Sequence, residues 1–161
     1  MRLEDLPAVF ALGQELFTAE ALPTLYRAWD EDEVMQLFGS DAETCLVAVA
    51  GERVVGFALG SLMSKRNNPW RYGWVEWLGV APAYARRGVA TRLMKHLTSL
   101  FIRRNARMLL VDTDEANAPA LAFFRKIGFG HELRHIYLSQ NLDDHPEVIQ
   151  RREPLWDDEE E

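Results

Sequence analysis

Residues 72–92 read Y-G-W-V-E-W-L-G-V-A-P-A-Y-A-R-R-G-V-A-T-R. An apolar strand ends there near Pro82, and a basic loop containing Gly88 opens an amphipathic helix. The start of a helix presents backbone N–H groups without partners inside the helix, and the helix dipole is positive there. Because Arg86 and Arg87 lie beside these groups, the stretch predicts a strand, loop and helix that bind a phosphate group.

Taken alone, the same residues also fit a helix start with a tight glycine turn and two exposed arginines. Two known nucleotide motifs are excluded: a P-loop needs Lys followed by Ser or Thr after its glycines, and Gly88 lacks the other glycines of a dinucleotide fingerprint. The small residues Gly88 and Ala90 would let a bulky anion approach the main chain, and a pyrophosphate would suit such a site. A second motif is needed to identify the ligand.

The chain has 161 residues, 48% of them hydrophobic, which predicts one soluble domain. No apolar run approaches the roughly 20 residues of a membrane-spanning helix, and the acidic start M-R-L-E-D-L-P is unlike a signal peptide. We therefore expect a cytoplasmic protein without a membrane partner. The net charge of −7 argues against a nucleic-acid partner. The single cysteine, Cys45, predicts a buried structural thiol, and the histidines lack metal-ligand spacing, so we expect no metal.

Hydrophobic periodicity predicts an α/β sheet domain. A first helix is predicted from residue 3 to near Thr18, and a second helical region before Gly39. A hairpin follows, with strands over 44–50 and 53–63 joined by a turn at Gly51 and Glu52. The remaining elements are a strand ending at Val80, a helix from Gly88, a strand over 108–111, a helix over 117–127, and one or two closing strands over 129–138.

The second motif is V-D-T-D-E-A-N-A-P-A-L-A-F-F-R-K-I-G-F over residues 111–129. Together with the basic loop it resembles the GNAT superfamily of acyl-CoA-dependent N-acyltransferases. The pattern of that superfamily is Gln/Arg-x-x-Gly-x-Gly/Ala, followed by Asn-x-x-Ala-x-x-x-Tyr-x-x-x-Gly-Phe. The positions that match it are Gly88, Ala90, Asn117, Ala120, Gly128 and Phe129, and the resemblance extends over about residues 3–138.

The resemblance implies a mixed, mostly antiparallel central sheet flanked by about four helices, and acetyl-CoA as co-substrate. It implies that the cofactor lies along the end of the strand, the loop and the helix start, and that Asn117 hydrogen-bonds the pantetheine arm while Phe124 packs at its sulfur end. A backbone N–H near Leu78 to Val80 would meet the oxyanion. The implied cofactor-binding residues are Leu78, Gly79, Val80, Arg86, Arg87, Gly88, Val89, Ala90, Thr91, Asn117 and Phe124.

Two positions depart from the family pattern. Ala85 stands where Gln or Arg is usual, which removes one side-chain contact to the pyrophosphate, so that Arg86 or Arg87 would compensate. Phe124 stands where many members carry the tyrosine thought to protonate the departing thiolate, and phenylalanine has no proton to give. Tyr137 and Tyr84 are substitute acids, and solvent is the remaining source of the proton.

Acyl transfer to an amine requires a proton acceptor, because an alkyl amine with a pKa near about 10 is mostly charged at pH 7. Strand periodicity places Glu76 on one face with Trp74, Leu78 and Val80. We predict Glu76 as the general base, acting through water, or as the anchor of a cationic amine; an exposed or salt-bridged strand residue is the alternative. Asp112 is the second candidate, because some family members carry a catalytic glutamate five residues before the motif asparagine.

Two functions remain open from the sequence. The first is an N-acetyltransferase that transfers an acetyl group by direct attack of a primary amine of a small molecule or peptide. The second is a non-catalytic acyl-CoA-binding or interaction module of the same fold. We expect the acyltransferase domain to occupy residues 1–142 and a C-terminal extension with an acidic, disordered tail to occupy 143–161. A homodimer through the C-terminal strands is a further expectation from the family.

Overall fold

A computed structural model describes residues 1–18, 29–64, 70–134, 136, 138 and 140–152. The chain forms two compact units, Met1–Phe129 and Gly130–Glu161. All described residues of the predicted site belong to the first unit, whereas Tyr137 and the acidic run over 157–161 lie outside the described residues. The expected domain boundary after residue 142 stays a prediction.

The described residues form a mixed sheet with five α-helices. The strands are β1 (Cys45–Ala50), β2 (Arg53–Ser64), β3 (Arg71–Val80) and β4 (Ala106–Val111). The helices are α1 (Leu6–Leu16), α2 (Glu31–Ser40), α3 (Val89–Arg103), α4 (Ala118–Lys126) and α5 (Pro146–Arg152).

Local signals explain where the helices begin. Pro7 lies in the first turn of α1, where its missing N–H costs nothing. Asp30 caps α2, because its carboxylate accepts a hydrogen bond from the backbone N–H of Glu33 at 2.7 Å. Acidic side chains fill the first turn of α2, which suits the positive end of its dipole. The predicted first helix is confirmed, and the second helical region resolves into α2 within the described residues.

The strand order in the sheet is β1, β2, β3, β4. The first three strands are antiparallel, and β4 runs parallel to β3. The β1–β2 hairpin turns at Gly51 and Glu52, and Gly51 has a φ of 63°, which glycine adopts without strain. The parallel pair requires a crossover, and α3 supplies it. The predicted mixed, mostly antiparallel sheet is therefore confirmed.

A hydrophobic cluster covers each face of the sheet. One face packs against α3 and α4 and contains Ala58, Val75, Val89, Leu93, Met94, Leu97, Phe101 and Phe124. The other face packs against α1 and α2 and contains Val9, Leu12, Val34, Cys45, Phe57, Leu59 and Trp77. We call them the α3 face and the α1 face. Residues 56–60 of β2 alternate between them, as the pleat of a strand requires.

Cys45 is fully buried in the α1-face cluster, as predicted for a structural thiol. Burial raises the pKa of its thiol to about 11. A thiolate is therefore scarce at neutral pH, and the thiolate is the nucleophilic form of cysteine. Cys45 contributes packing to the fold and has no place in the chemistry proposed below.

β3 contains a bulge at Glu76. Leu59 pairs with Trp77 and the next residue of β2, Gly60, pairs with Val75, so Glu76 is an extra residue in β3. A bulge of this kind shifts the alternation of side chains along the strand by one residue. As a result, the odd-numbered residues of β3 lie on one face of the sheet before Glu76 and on the other face after it.

The predicted closing strands over 129–138 are not found among the described residues of that segment, which are 129–134, 136 and 138. Ile136 and Leu138 are two residues apart, as on one face of a strand, whereas Leu133 is out of step with them, and all three are more than four-fifths exposed. Alternation indicates strand propensity, but a strand forms only where its backbone pairs in a ladder. The prediction was wrong for these residues, because periodicity carries no information about a pairing partner.

Candidate active site

The two central strands separate at their C-terminal ends. β3 is paired with β2 as far as Val80, but its pairing with β4 ends at Val75 and Val111. Within the described residues, no strand pairs with residues 76–80 on the β4 side. Backbone N–H and C=O groups of residues 78–80 on that side of β3 therefore have no ladder partner in the described part of the chain. Such groups require hydrogen bonds, so the edge can bind an extended ligand.

Glu76 lies at the point where the two strands separate. Its half-buried side chain accepts a hydrogen bond from the hydroxyl of Ser61 at 2.5 Å between Oγ and Oε1. Ser61 lies on the α1 face, because its neighbours Gly60 and Leu62 contact the α3-face cluster. The Glu76 carboxylate is therefore held on the α1 face.

This arrangement corrects the predicted face. Leu78 and Val80 pack against the α3-face cluster, whereas Trp77 belongs to the α1-face cluster. Glu76 shares the α1 face with Trp74, but Leu78 and Val80 lie on the opposite face. The prediction that all four share a face was wrong, because it assumed an unbroken period of two and the bulge adds a residue.

Asp112 follows β4 directly and is exposed. Its Oδ1 accepts a hydrogen bond from the indole N–H of Trp74 at 3.2 Å. On the same face, Glu33 of α2 accepts a hydrogen bond from the indole N–H of Trp77 at 2.8 Å. Glu33, Glu76 and Asp112 therefore give this face three carboxylates near the separation of the strands.

The opposite charge lies beyond the end of β3. The loop between β3 and α3 exposes Arg86 and Arg87, and Arg87 lies over the ring of Tyr84 at 5.6 Å from the centroid. Tyr84 also packs against the α3-face cluster. The described first turn of α3 has neither an acidic residue nor a side-chain cap. Its backbone N–H groups and the arginines together favour an anion.

Two glycines at this end are required for different reasons. Gly88 has a φ of 77° at the N-cap of α3, and a side chain there would approach only the guanidinium of Arg92, at 3.8 Å. Its backbone conformation therefore favours glycine, and open space lies beside it. A side chain at Gly79 would come within 2.8 Å of both Leu16 and Phe57. Packing beneath α1 explains the glycine at position 79.

α4 supplies the other predicted cofactor residues. Asn117 is its N-cap, and its Oδ1 accepts a hydrogen bond from the backbone N–H of Ala120 at 3.2 Å. The side-chain amide of asparagine carries two further donors. Phe124 is 9% exposed in the α3-face cluster, with its ring edge-on to Phe123 and to Phe129. Phe124 is thus a core residue, which is compatible with contact to a ligand at the edge of that core.

The structure brings Glu76, Asp112 and the end of β3 together where the strands separate. It places the arginine loop and the N-terminus of α3 after the same strand. Sequence reasoning missed Ser61, because a cross-strand contact depends on the register of β2 against a bulged β3. No local pattern in the sequence indicates that register.

The model of the acetyltransferase (GNAT) family matches residues 7–129 of this chain. The chain belongs to this family.

Two relatives share a name that describes their reaction. N-alpha-acetyltransferase 30 of Xenopus laevis is 26% identical over 92 residues, which are 57% of this chain and 33% of that protein. The human protein of the same name is 26% identical over 92 residues and is covered to 25%. The match thus spans a third or less of these relatives.

Solved structures share the fold over most of the chain. The aminoglycoside N-acetyltransferase AAC(6')-Iy in complex with CoA has a TM-score of 0.68 and 19% identity, covering 88% of this chain and 96% of that one. An aminoglycoside acetyltransferase from an uncultured soil metagenomic sample has a TM-score of 0.68 and 26% identity, covering 87% and 93%. Both are α/β acetyltransferases.

Two features are absent from the described residues. No group of three or more His, Cys, Asp or Glu side chains among them is arranged to hold a metal ion. No helix in this part of the chain is long and apolar enough to cross a membrane.

Proposed function

We propose that the protein is an N-acetyltransferase that transfers the acetyl group of acetyl-CoA to a primary amine of a small molecule or peptide. The observation that carries this proposal is the separation of β3 from β4, with a carboxylate at its origin and a basic helix start at its end. An extended, anionic molecule fits a strand edge that no described strand covers and that leads to a cationic helix N-terminus. Membership of the acetyltransferase family supports the same reading.

The proposed contacts to acetyl-CoA lie along the site in the same order as the parts of the molecule. The exposed arginines and the first N–H groups of α3 would bind the pyrophosphate, and the unpaired edge of β3 would bind the pantetheine arm. The proposed contact residues are Leu78, Gly79, Val80, Arg86, Arg87, Gly88, Val89, Ala90, Thr91, Asn117 and Phe124. When bound, acetyl-CoA supplies an acetyl group on a thioester, which an amine can attack.

Residues of this chain would remove a proton from the amine and stabilise the negative charge of the oxyanion. Glu76 accepts a proton from the incoming ammonium, through water, or anchors a cationic amine by its charge. A backbone N–H of residues 78–80 stabilises the oxyanion, and such a donor is worth about 3 kcal/mol in other enzymes. Asp112 is the second acidic candidate on the same face.

The departing thiolate of CoA also needs a proton, and its donor is proposed separately. Phe124 has no proton to give, and Tyr84 packs under Arg87 at the anion end of the site. Tyr137 is retained as the proposed acid, although it lies outside the described residues. Water is the alternative source.

The acceptor is proposed to be a cation that approaches the α1 face. Glu33, Glu76 and Asp112 lie on this face, and carboxylates attract an ammonium group. The names of the relatives indicate two acceptor classes, α-amines and aminoglycosides. Compounds of both classes carry primary amino groups, so both belong in the first test.

The second candidate function is a non-catalytic acyl-CoA-binding module. Phe124 favours it, because the residue replaces the tyrosine of the family pattern with a ring that has no hydroxyl. Such a module keeps the cofactor cleft and lacks turnover.

Release of CoA distinguishes the two functions. Free thiol is measured from acetyl-CoA with a panel containing an aminoglycoside, a polyamine and short peptides with free N-termini. An N-acetyltransferase releases CoA at a rate that depends on the amine and saturates with its concentration. It also gives an acetylated product about 42 Da heavier than the amine, because an acetyl group replaces one hydrogen atom. Saturable binding of acetyl-CoA without amine-dependent release would instead establish the binding module.

A further inference from the structure

We infer that Ser61 is a positioning residue that holds the Glu76 carboxylate in its reactive orientation. The inference rests on the proposed function and assigns a role to a residue on a different strand from Glu76. It begins from the hydrogen bond of 2.5 Å between Ser61 Oγ and Glu76 Oε1.

The bulge explains why Glu76 needs such a contact. Glu76 is the additional residue of the bulge in β3, and the register of β3 with β4 ends one residue earlier, at Val75. A long, flexible carboxylate at this point has its orientation set by side-chain contacts.

Ser61 is placed to provide a rigid contact. It lies on β2 opposite Trp74 in the register with β3, and the backbone carbonyl of the preceding residue, Gly60, accepts a hydrogen bond from the hydroxyl of Thr44 at 2.6 Å. Its short side chain has one rotatable hydroxyl, which donates a hydrogen bond to the carboxylate. A hydrogen bond to a charged acceptor is stronger than a neutral one, and its length here falls in the range for O–H donors to carboxylates.

The chemistry of the contact also suits a base. A hydroxyl that donates to one oxygen of a carboxylate fixes the plane of the group and so the direction in which it accepts a proton. Ser61 itself contacts no reacting atom in this account, and it acts only through Glu76.

A matched pair of variants tests the inference. Ser61→Thr keeps the hydroxyl. Ser61→Val introduces a side chain of nearly the same shape as threonine, with a methyl group in place of the hydroxyl. Both side chains are β-branched and suit a strand. With acetyl-CoA and the panel amine that turns over fastest, Ser61→Val should lower kcat about ten-fold, which is the usual scale for a charged hydrogen bond. Ser61→Thr should retain most of the turnover, and KM for acetyl-CoA should stay unchanged in both.

The same pair is then measured in the Glu76→Gln background. If Ser61 acts through Glu76, Ser61→Val and Ser61→Thr should there have equal kcat, because the group that Ser61 positions is gone. Thermal unfolding of all variants separates a folding defect from a catalytic one. If Ser61→Val fails to fold, Ser61→Ala takes its place and is compared with the wild type.

Failure of the inference differs from failure of the proposed function. Equal kcat for Ser61→Val and Ser61→Thr in the wild-type background, with Glu76→Gln impaired, would overturn the role of Ser61 alone. A difference in kcat between Ser61→Val and Ser61→Thr that is undiminished in the Glu76→Gln background would also overturn it. Full turnover of Glu76→Gln, or no turnover of any amine by the wild type, would overturn the proposed mechanism and the inference with it.

Discussion

Single residues around β3 show that the same amino acid serves different needs in one site. Gly79 is a packing glycine, because a side chain there would press on Leu16 and Phe57. Gly88 is a backbone glycine, because its φ of 77° is unfavourable for other residues. The family resemblance grouped both as cofactor residues. The structure adds that one of them is already required by the core.

Gly79→Ala should therefore lower the free energy of unfolding by about 1–3 kcal/mol, the usual cost of overpacking a core. The matched control is Gly39→Ala in α2, where an added side chain would meet nothing within 4 Å. That change should leave stability unchanged or raise it by up to about 1 kcal/mol, because alanine favours helix over glycine. Urea unfolding of the two variants measures both values, and equal stability of the pair would contradict the packing role of Gly79.

Two elements carry the proposed site, and the sequence predicted them unequally well. The loop and start of α3 were predicted closely, because Arg86, Arg87 and Gly88 form a local pattern with a direct physical meaning. β3 was predicted as a strand, but its faces were assigned wrongly beyond Glu76. A bulge is one additional residue in one strand, and only the pairing with β2 reveals it.

The anion site at α3 is tested by reversing a charge. Arg87→Glu should raise the Kd for acetyl-CoA about ten- to a hundred-fold, because it removes a charged hydrogen bond and adds a repulsive charge. Arg103→Glu, at the exposed C-terminal end of the same helix, changes the net charge equally and should leave the Kd unchanged. Calorimetric titration of acetyl-CoA gives both values. Equal weakening by the two variants would indicate a general charge effect and would contradict a local anion site.

At the scale of the whole molecule, one sheet with a core on each face keeps two tasks apart. The α3 face supports the proposed cofactor loop and Asn117, and the α1 face carries the carboxylates for the proposed acceptor. The separation of β3 from β4 is where the two tasks meet. Periodicity predicted the order of elements as far as α4, because each helix and strand has its own local pattern, and the family resemblance implied the mixed sheet.

Local patterns in the sequence do not reveal where β3 and β4 separate or which residue contacts Glu76. Both depend on pairing between segments that are distant in the chain, and a single sequence contains no record of that pairing. The segment over 129–138 shows the same limit, since it was predicted as strand and its described residues form none. Local pattern therefore predicted elements, and long-range pairing determined the site.

The most direct test of the account is the turnover of Glu76→Gln compared with Asp112→Asn, measured with acetyl-CoA and an accepted amine. General-base catalysis contributes roughly 10²- to 10⁴-fold to rate. We predict that Glu76→Gln lowers kcat at least about a hundred-fold while the Kd for acetyl-CoA stays unchanged, and that Asp112→Asn has a much smaller effect. Unchanged kcat in Glu76→Gln would contradict the account and remove Glu76 from the mechanism.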